Sequence, residues 1–174
     1  FSPRERHASV VFDGRIWVIG GLSGTGSLSD VWHSDDGITW IQATESASFL
    51  RRYAFSCVVF DDKIWVIGGF TNVSRNDVWY SEDGITWLQA TDNANFSGRY
   101  IHTSLVFDNR MWVIGGYTGL GYVNDVWYSS DGVTWIEAVS FGAFNPRSHY
   151  ESVVFDNSMW IVGGNRVWRS SDGF

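Results

Sequence analysis

The sequence predicts an all-β chain built as blades of a β-propeller, about four repeats of four strands with the last lacking its outer strand. Three observations carry this. Gly-Gly pairs fall at Gly20-Gly21, Gly68-Gly69, Gly115-Gly116 and Gly163-Gly164, in steps of 48, 47 and 48 residues. The tryptophans keep the same step: Trp17, Trp65, Trp112 and Trp160 before the glycines, Trp32, Trp79, Trp127 and Trp168 after them, and Trp40, Trp87 and Trp135 closing the first three repeats. The segments between turns are rich in β-branched and aromatic residues, and only two prolines occur in 174 residues. A four-stranded meander cannot cover both of its own faces, whereas blades stacked around an axis can. Because all eleven tryptophans sit in the repeat register, they are assigned to packing between blades rather than to a ligand cage.

The repeats divide as 1–48, 49–95, 96–143 and 144–174, a single array. In the third repeat the expected strands are a (102–107), b (111–114), c (125–129) and d (134–138). Strands a and b are joined by Asp13-Gly14, Asp61-Asp62, Asp108-Asn109 and Asp156-Asn157, residues that tolerate the positive φ of tight hairpins. Asp36-Gly37, Asp83-Gly84, Asp131-Gly132 and Asp172-Gly173 give the same signal between c and d. Chain direction then places every tight turn at one end of the blades. The b–c loops (22–29, 70–76, 117–124) and the d–a loops (44–50, 91–98, 139–146) share the other end, face one. Repeat four runs from Gly164 through Asn165-Arg166 straight into Val167-Trp168, so its b–c loop is nearly deleted and strand d is missing. The expectation is a unit closed by additional repeats or by copies of itself.

The Gly-Gly after an apolar strand, the Trp of Asp-Val-Trp and the upstream Arg together resemble the Kelch repeat family over essentially the whole chain. That family's range, from actin-binding proteins and substrate adaptors to galactose-oxidase-type enzymes and sialic-acid mutarotases, means that fold alone does not select a function. The run Ser81-Glu82-Asp83-Gly84-Ile85-Thr86-Trp87 is similar to the Asp-box of sialidase-type propellers, one residue shorter between Asp and Gly. It is read as a device that stabilises the turn.

The net charge is −7, and eleven of the twelve basic residues are Arg, which argues against general nucleic-acid binding or a polybasic membrane patch. No apolar run approaches a membrane span, so no membrane insertion is expected. The lone Cys57 permits no intrachain disulfide and aligns with Ser9, Ser104 and Ser152 in a small strand-a slot. Composition leaves the compartment open, with an extracellular or cell-surface location slightly favoured over a cytoplasmic one.

Variable loops on a rigid scaffold are where binding usually resides, so face one is the expected ligand face. Arg4, Arg52, Arg99 and Arg147 recur just before strand a and should ring the channel mouth. They either meet a ligand there or bond carbonyls of a neighbouring blade and pack on an aromatic ring. Tyr53 and Tyr100 adjoin them, and Arg75, Phe70, Tyr117 and Tyr122 complete the candidate binding set. His7 and His102 share a strand-a position with Phe55 and Tyr150, which reads as packing rather than a metal set. No catalytic residue, metal or cofactor is expected. The leading function is a non-catalytic module that binds a protein or a glycan, with an anionic partner favoured by the arginines of face one. The alternatives are a self-assembling unit and part of a sugar-processing Kelch-type enzyme.

Overall fold

The computed structural model describes residues 1–146, 150–163 and 165–173. It is an all-β, four-bladed propeller array without helices among the described residues. Blade 1 comprises β1 (Ala8–Phe12), β2 (Arg15–Ser23), β3 (Gly26–Ser34) and β4 (Ile41–Thr44). Blade 2 comprises β5 (Ser56–Phe60), β6 (Lys63–Phe70), β7 (Ser74–Ser81) and β8 (Leu88–Thr91). Blade 3 comprises β9 (Thr103–Phe107), β10 (Arg110–Tyr117), β11 (Tyr122–Ser129) and β12 (Ile136–Val139). Blade 4 has three strands, β13 (Glu151–Phe155), β14 (Ser158–Gly163) and β15 (Arg166–Ser170). Every blade is an antiparallel meander in sequence order. The first strands pack side by side, β1 on β5, β5 on β9 and β9 on β13, and so form the inner wall.

The turns follow from local chemistry. Asp61 and Asp62 lie at φ 50° and 52°, and Asp108 and Asn109 at 49° and 52°, the left-handed conformations of a two-residue hairpin whose twist matches its strands. In the c–d hairpin of blade 2, Asp83 Oδ1 accepts hydrogen bonds from the Ile85 and Thr86 amides at 2.8 and 2.7 Å. The Gly84 amide donates to Ser81 Oγ at 2.8 Å. The network recurs around Asp36, Asp131 and, through the serine, Asp172. At Asp36 the Thr39 and Ile38 amides hold the carboxyl down at about 2.

The b–c connections differ from the expected seven- and eight-residue loops. Strands b and c continue past the Gly-Gly pairs, pairing Leu22 with Ser27, Phe70 with Ser74 and Tyr117 with Tyr122. A bulge at each Gly-Gly absorbs the irregularity: Gly20, Gly68 and Gly115 have φ between 51° and 59°, which lets the strand kink and carry on.

Three buried clusters fill the three internal blade boundaries. Trp17, Ile19 and Val31 of blade 1 meet Phe55, Ile64, Val66 and Trp87 of blade 2. Val58, Trp65 and Val78 meet Met111, Val113 and Trp135. Leu105, Trp112 and Val126 meet Tyr150, Met159 and Ile161. The c–d glycine of each following blade lies directly on the preceding tryptophan: a Cβ at Gly84 would come 2.2 Å from Trp17, one at Gly132 2.0 Å from Trp65, and one at Gly173 2.7 Å from Trp112.

Candidate functional site

The repeated arginines have a structural environment that sequence reasoning only half described. Arg52 Nη1 and Nη2 each donate to Asp77 at 2.8 Å, and Nη1 also donates to the Gly68 carbonyl at 2.9 Å. Arg99 makes the same bonds to Asp125 and Gly115, and Arg4 to Asp30 and Gly20. Each carboxylate also accepts from the indole of the Trp two residues on, as Asp77 does from Trp79 at 2.8 Å. The guanidinium groups lie 5.3 to 5.8 Å from the ring centres of Phe1, Phe49 and Phe96. The bonded carbonyl is in the arginine's own blade. It is the arginine backbone that reaches the preceding blade, through Gly21 N to Arg52 O and Arg52 N to Leu28 O. The side chains of Arg4, Arg52 and Arg99 are at most 1% exposed, their Nη atoms held by these partners, although Arg52 Nε is buried without a hydrogen-bond partner. Arg147 lies outside the described residues.

Burial alone would raise the Asp77 carboxyl; the Arg52 hydrogen bonds and charge more than offset this and hold it below the usual carboxylate range. Asp125 behaves likewise beside Arg99.

The remaining candidates do come together. The backbone of Tyr53 bridges to Phe70, and that of Tyr100 to Tyr117, so each pair projects side by side from face one. Ring centres then run continuously: Tyr53 to Phe70 5.6 Å, Phe70 to Tyr100 5.0 Å, Tyr100 to Tyr117 5.4 Å and Tyr117 to Tyr122 5.1 Å. Such spacings are favourable aromatic contacts. Arg6 caps the strip, its guanidinium 5.8 Å from the Tyr53 ring. All five rings are half-buried or exposed. Partial burial and the neighbouring Tyr117, Tyr53 and Tyr122 raise the Tyr100 phenol. In blade 1 the equivalent bridge joins Glu5 and Leu22, so the strip belongs to blades 2 and 3.

Beside it a groove of about 480 Å³ runs from Phe70 between the two b–c loops, lined by Val73, Thr118 and Leu120 among others. Val73 is 58% and Leu120 100% exposed. Arg75 sits next to this strip, its backbone bridged to Arg99 and its Nε buried without a hydrogen-bond partner. Arg6 was not singled out by sequence, although its failure to repeat (Ala54 and Ile101 take its place) was the available signal.

At the axis Arg6, His7, Phe55, Ile101, His102 and Glu151 border a shallow cleft of about 180 Å³. His102 is 7% exposed and its Nε2 lies 2.8 Å from Ser56 Oγ. Burial, helped by the Arg99 charge, lowers it to about 3. The unfolded chain therefore binds a proton below about pH 6.5 that the folded chain refuses until about pH 3. Stability is full above pH 6.5 and falls as pH drops through that window, by about 2 kcal/mol between pH 7 and pH 5. Denaturant titrations at the two pH values should show this loss for the wild type. His102→Phe, which installs the residue that blade 2 has at Phe55, should remove most of it; an unchanged pH slope would contradict the assignment.

Among the described residues no cluster of His, Cys, Asp or Glu could hold a metal ion. Burial pushes the Cys57 thiol far up, as suits an inert packing residue. Among the described residues no helix is long and apolar enough to cross a membrane.

Bladed meanders stitched at their inner ends, with a variable loop face, define a β-propeller repeat protein. A KLHDC2/KLHL20/DRC7 Kelch-repeats domain model matches residues 41–173, and a Kelch motif model matches residues 3–33. The chain belongs to the Kelch-repeat family, whose propeller is commonly used for protein–protein interaction and is generally non-catalytic. No curated protein matches it.

Proposed function

We propose that this chain is a non-catalytic protein-binding module that holds a partner segment along the aromatic strip of face one. The observation that carries the reading is the unbroken run Tyr53, Phe70, Tyr100, Tyr117 and Tyr122. Blade 1 has no counterpart of these rings, its equivalent bridge joining Glu5 and Leu22. Half-exposed aromatic clusters with adjacent arginines are typical anchors of protein interfaces. The groove past Val73 and Leu120 would take an apolar side chain. Arg6, over the Tyr53 ring, and Arg75 favour an acidic residue along the strip, whereas the charges of Arg4, Arg52 and Arg99 are answered by Asp30, Asp77 and Asp125. A glycan is the second reading, favoured by the same exposed tyrosine faces.

Peptides selected from a display library on the immobilised chain test this directly. Tyr100→Ala and Tyr117→Ala should each weaken the selected peptides about 10-fold or more at an unchanged melting temperature. Raising salt should weaken them only modestly, since exposed ion pairs contribute about 0.2–1 kcal/mol each. Full affinity in both tyrosine variants would refute the site. Selection of no peptide, with retention on a glycan array, would favour the second reading.

A further inference from the structure

The backbone of the aromatic strip is already spent. Tyr53 and Phe70 exchange both main-chain hydrogen bonds, at 3.2 and 3.0 Å, and Tyr100 and Tyr117 exchange both of theirs at 3.0 Å. A partner cannot join these residues as a further strand, because that mode needs free amides and carbonyls along an edge. The strip offers side chains alone. Its rings are inclined to their neighbours by 51° to 75°, so they form a corrugated row of faces and edges rather than a flat plate.

The polar groups in that row need acceptors. Tyr150 donates its phenol hydroxyl to the Asn145 carbonyl. Among the described residues the hydroxyls of Tyr53, Tyr100, Tyr117 and Tyr122 have no such partner, and none is a buried orphan, so they are open to solvent. Arg6 adds N–H groups over the Tyr53 ring, and a guanidinium has no acceptor. The complement of such a surface is a ligand with compact apolar rings and unspent carbonyls. A helix spends its carbonyls internally. A polyproline II segment has no internal hydrogen bonds, and each proline keeps its carbonyl while lacking the N–H. Every third residue returns to the same side after about 9 Å. Two ring spacings of 5.0 to 5.6 Å each cover about that distance.

We infer that face one holds a proline-bearing segment in the polyproline II conformation, its prolines at i and i+3 set against the aromatic row and its carbonyls accepting from the phenols. The inference rests on the strip being the binding site and adds the conformation and residue type of what it holds. The acidic residue favoured by Arg6 lies at the Tyr53 end of the segment.

Random peptides displayed on phage and selected on the whole chain test this without bias toward proline. Selected peptides that depend on Tyr100 and Tyr117 should share prolines three residues apart. Replacing either proline by Ala should weaken binding about 5-fold or more, since it removes both a ring and the preorganised backbone. The double variant Tyr100→Phe/Tyr117→Phe keeps both rings and should still weaken binding about 3-fold or more at an unchanged melting temperature, through the lost hydroxyls alone. Strip-dependent peptides that lack proline, tolerate alanine in its place, or bind the double Phe variant with full affinity would overturn the inference and leave the site standing. Peptides indifferent to Tyr100→Ala and Tyr117→Ala would overturn the site and the inference together.

Discussion

Replacing Arg52 by Ala is expected to cost about 3–5 kcal/mol of stability, because it strands the Asp77 carboxylate inside the blade without its partner. Asp77 is 5% exposed, and Arg52 supplies two of its hydrogen bonds and neutralises it. Removing the guanidinium also frees the Gly68 carbonyl at the bulge. Arg99→Ala should behave alike, since its contacts to Asp125 and Gly115 repeat the geometry. Arg15→Ala is the control: its pair with Asp35 at 2.9 Å is exposed on both sides and should matter by less than about 1 kcal/mol. Equilibrium denaturation gives all three values. A loss at Arg52 no larger than at Arg15 would show that the staple is not what holds the inner end of the blade.

Among the described glycines, Gly132→Ala should be the most disruptive added methyl. Its Cβ would lie 2.0 Å from the Trp65 ring, and its φ of +75° is one that side chains resist. The backbone alone costs about 1–2 kcal/mol, and overpacking adds about 1–3 kcal/mol. Gly14→Ala separates the two contributions, because φ there is +70° with nothing within 4 Å of the added carbon. Gly132→Ala should therefore exceed Gly14→Ala by at least about 1 kcal/mol in denaturation. Equal losses would mean that the turn is not pressed against the neighbouring blade. Neither substitution touches the aromatic strip, so binding by the folded fraction should be unchanged.

The period made the blades legible. Trp, Gly-Gly and Asp-Gly recur in register because each stands at a contact repeated at every boundary, and a repeated contact leaves a repeated letter. The Arg staples were legible only in part. Arg52 and Asp77 stand 25 residues apart, so sequence shows two recurring charges on one face but not that they meet. Nothing in the spacing names Asp30, Asp77 and Asp125 as the arginines' partners; the fold does. The b–c loops were misjudged because Gly-Gly reads as the end of a strand, while here it forms a bulge through which Phe70 and Tyr117 continue to pair. Tyr122 and Arg75 are visible in sequence as departures from the repeat, and Tyr53 and Tyr100 as neighbours of the recurring arginines. Their contact order depends on the Tyr53–Phe70 and Tyr100–Tyr117 bridges, which only the folded register supplies.

The most direct test of the face-one account is amide hydrogen exchange of the chain with and without the tightest display-selected peptide. The account predicts added protection on the segments around Tyr53, Phe70 to Ser74, and Tyr100 and Tyr117 to Tyr122, with none at the Asp36, Asp83 and Asp131 turns. Protection confined to those turns, or spread evenly over all blades, would contradict it.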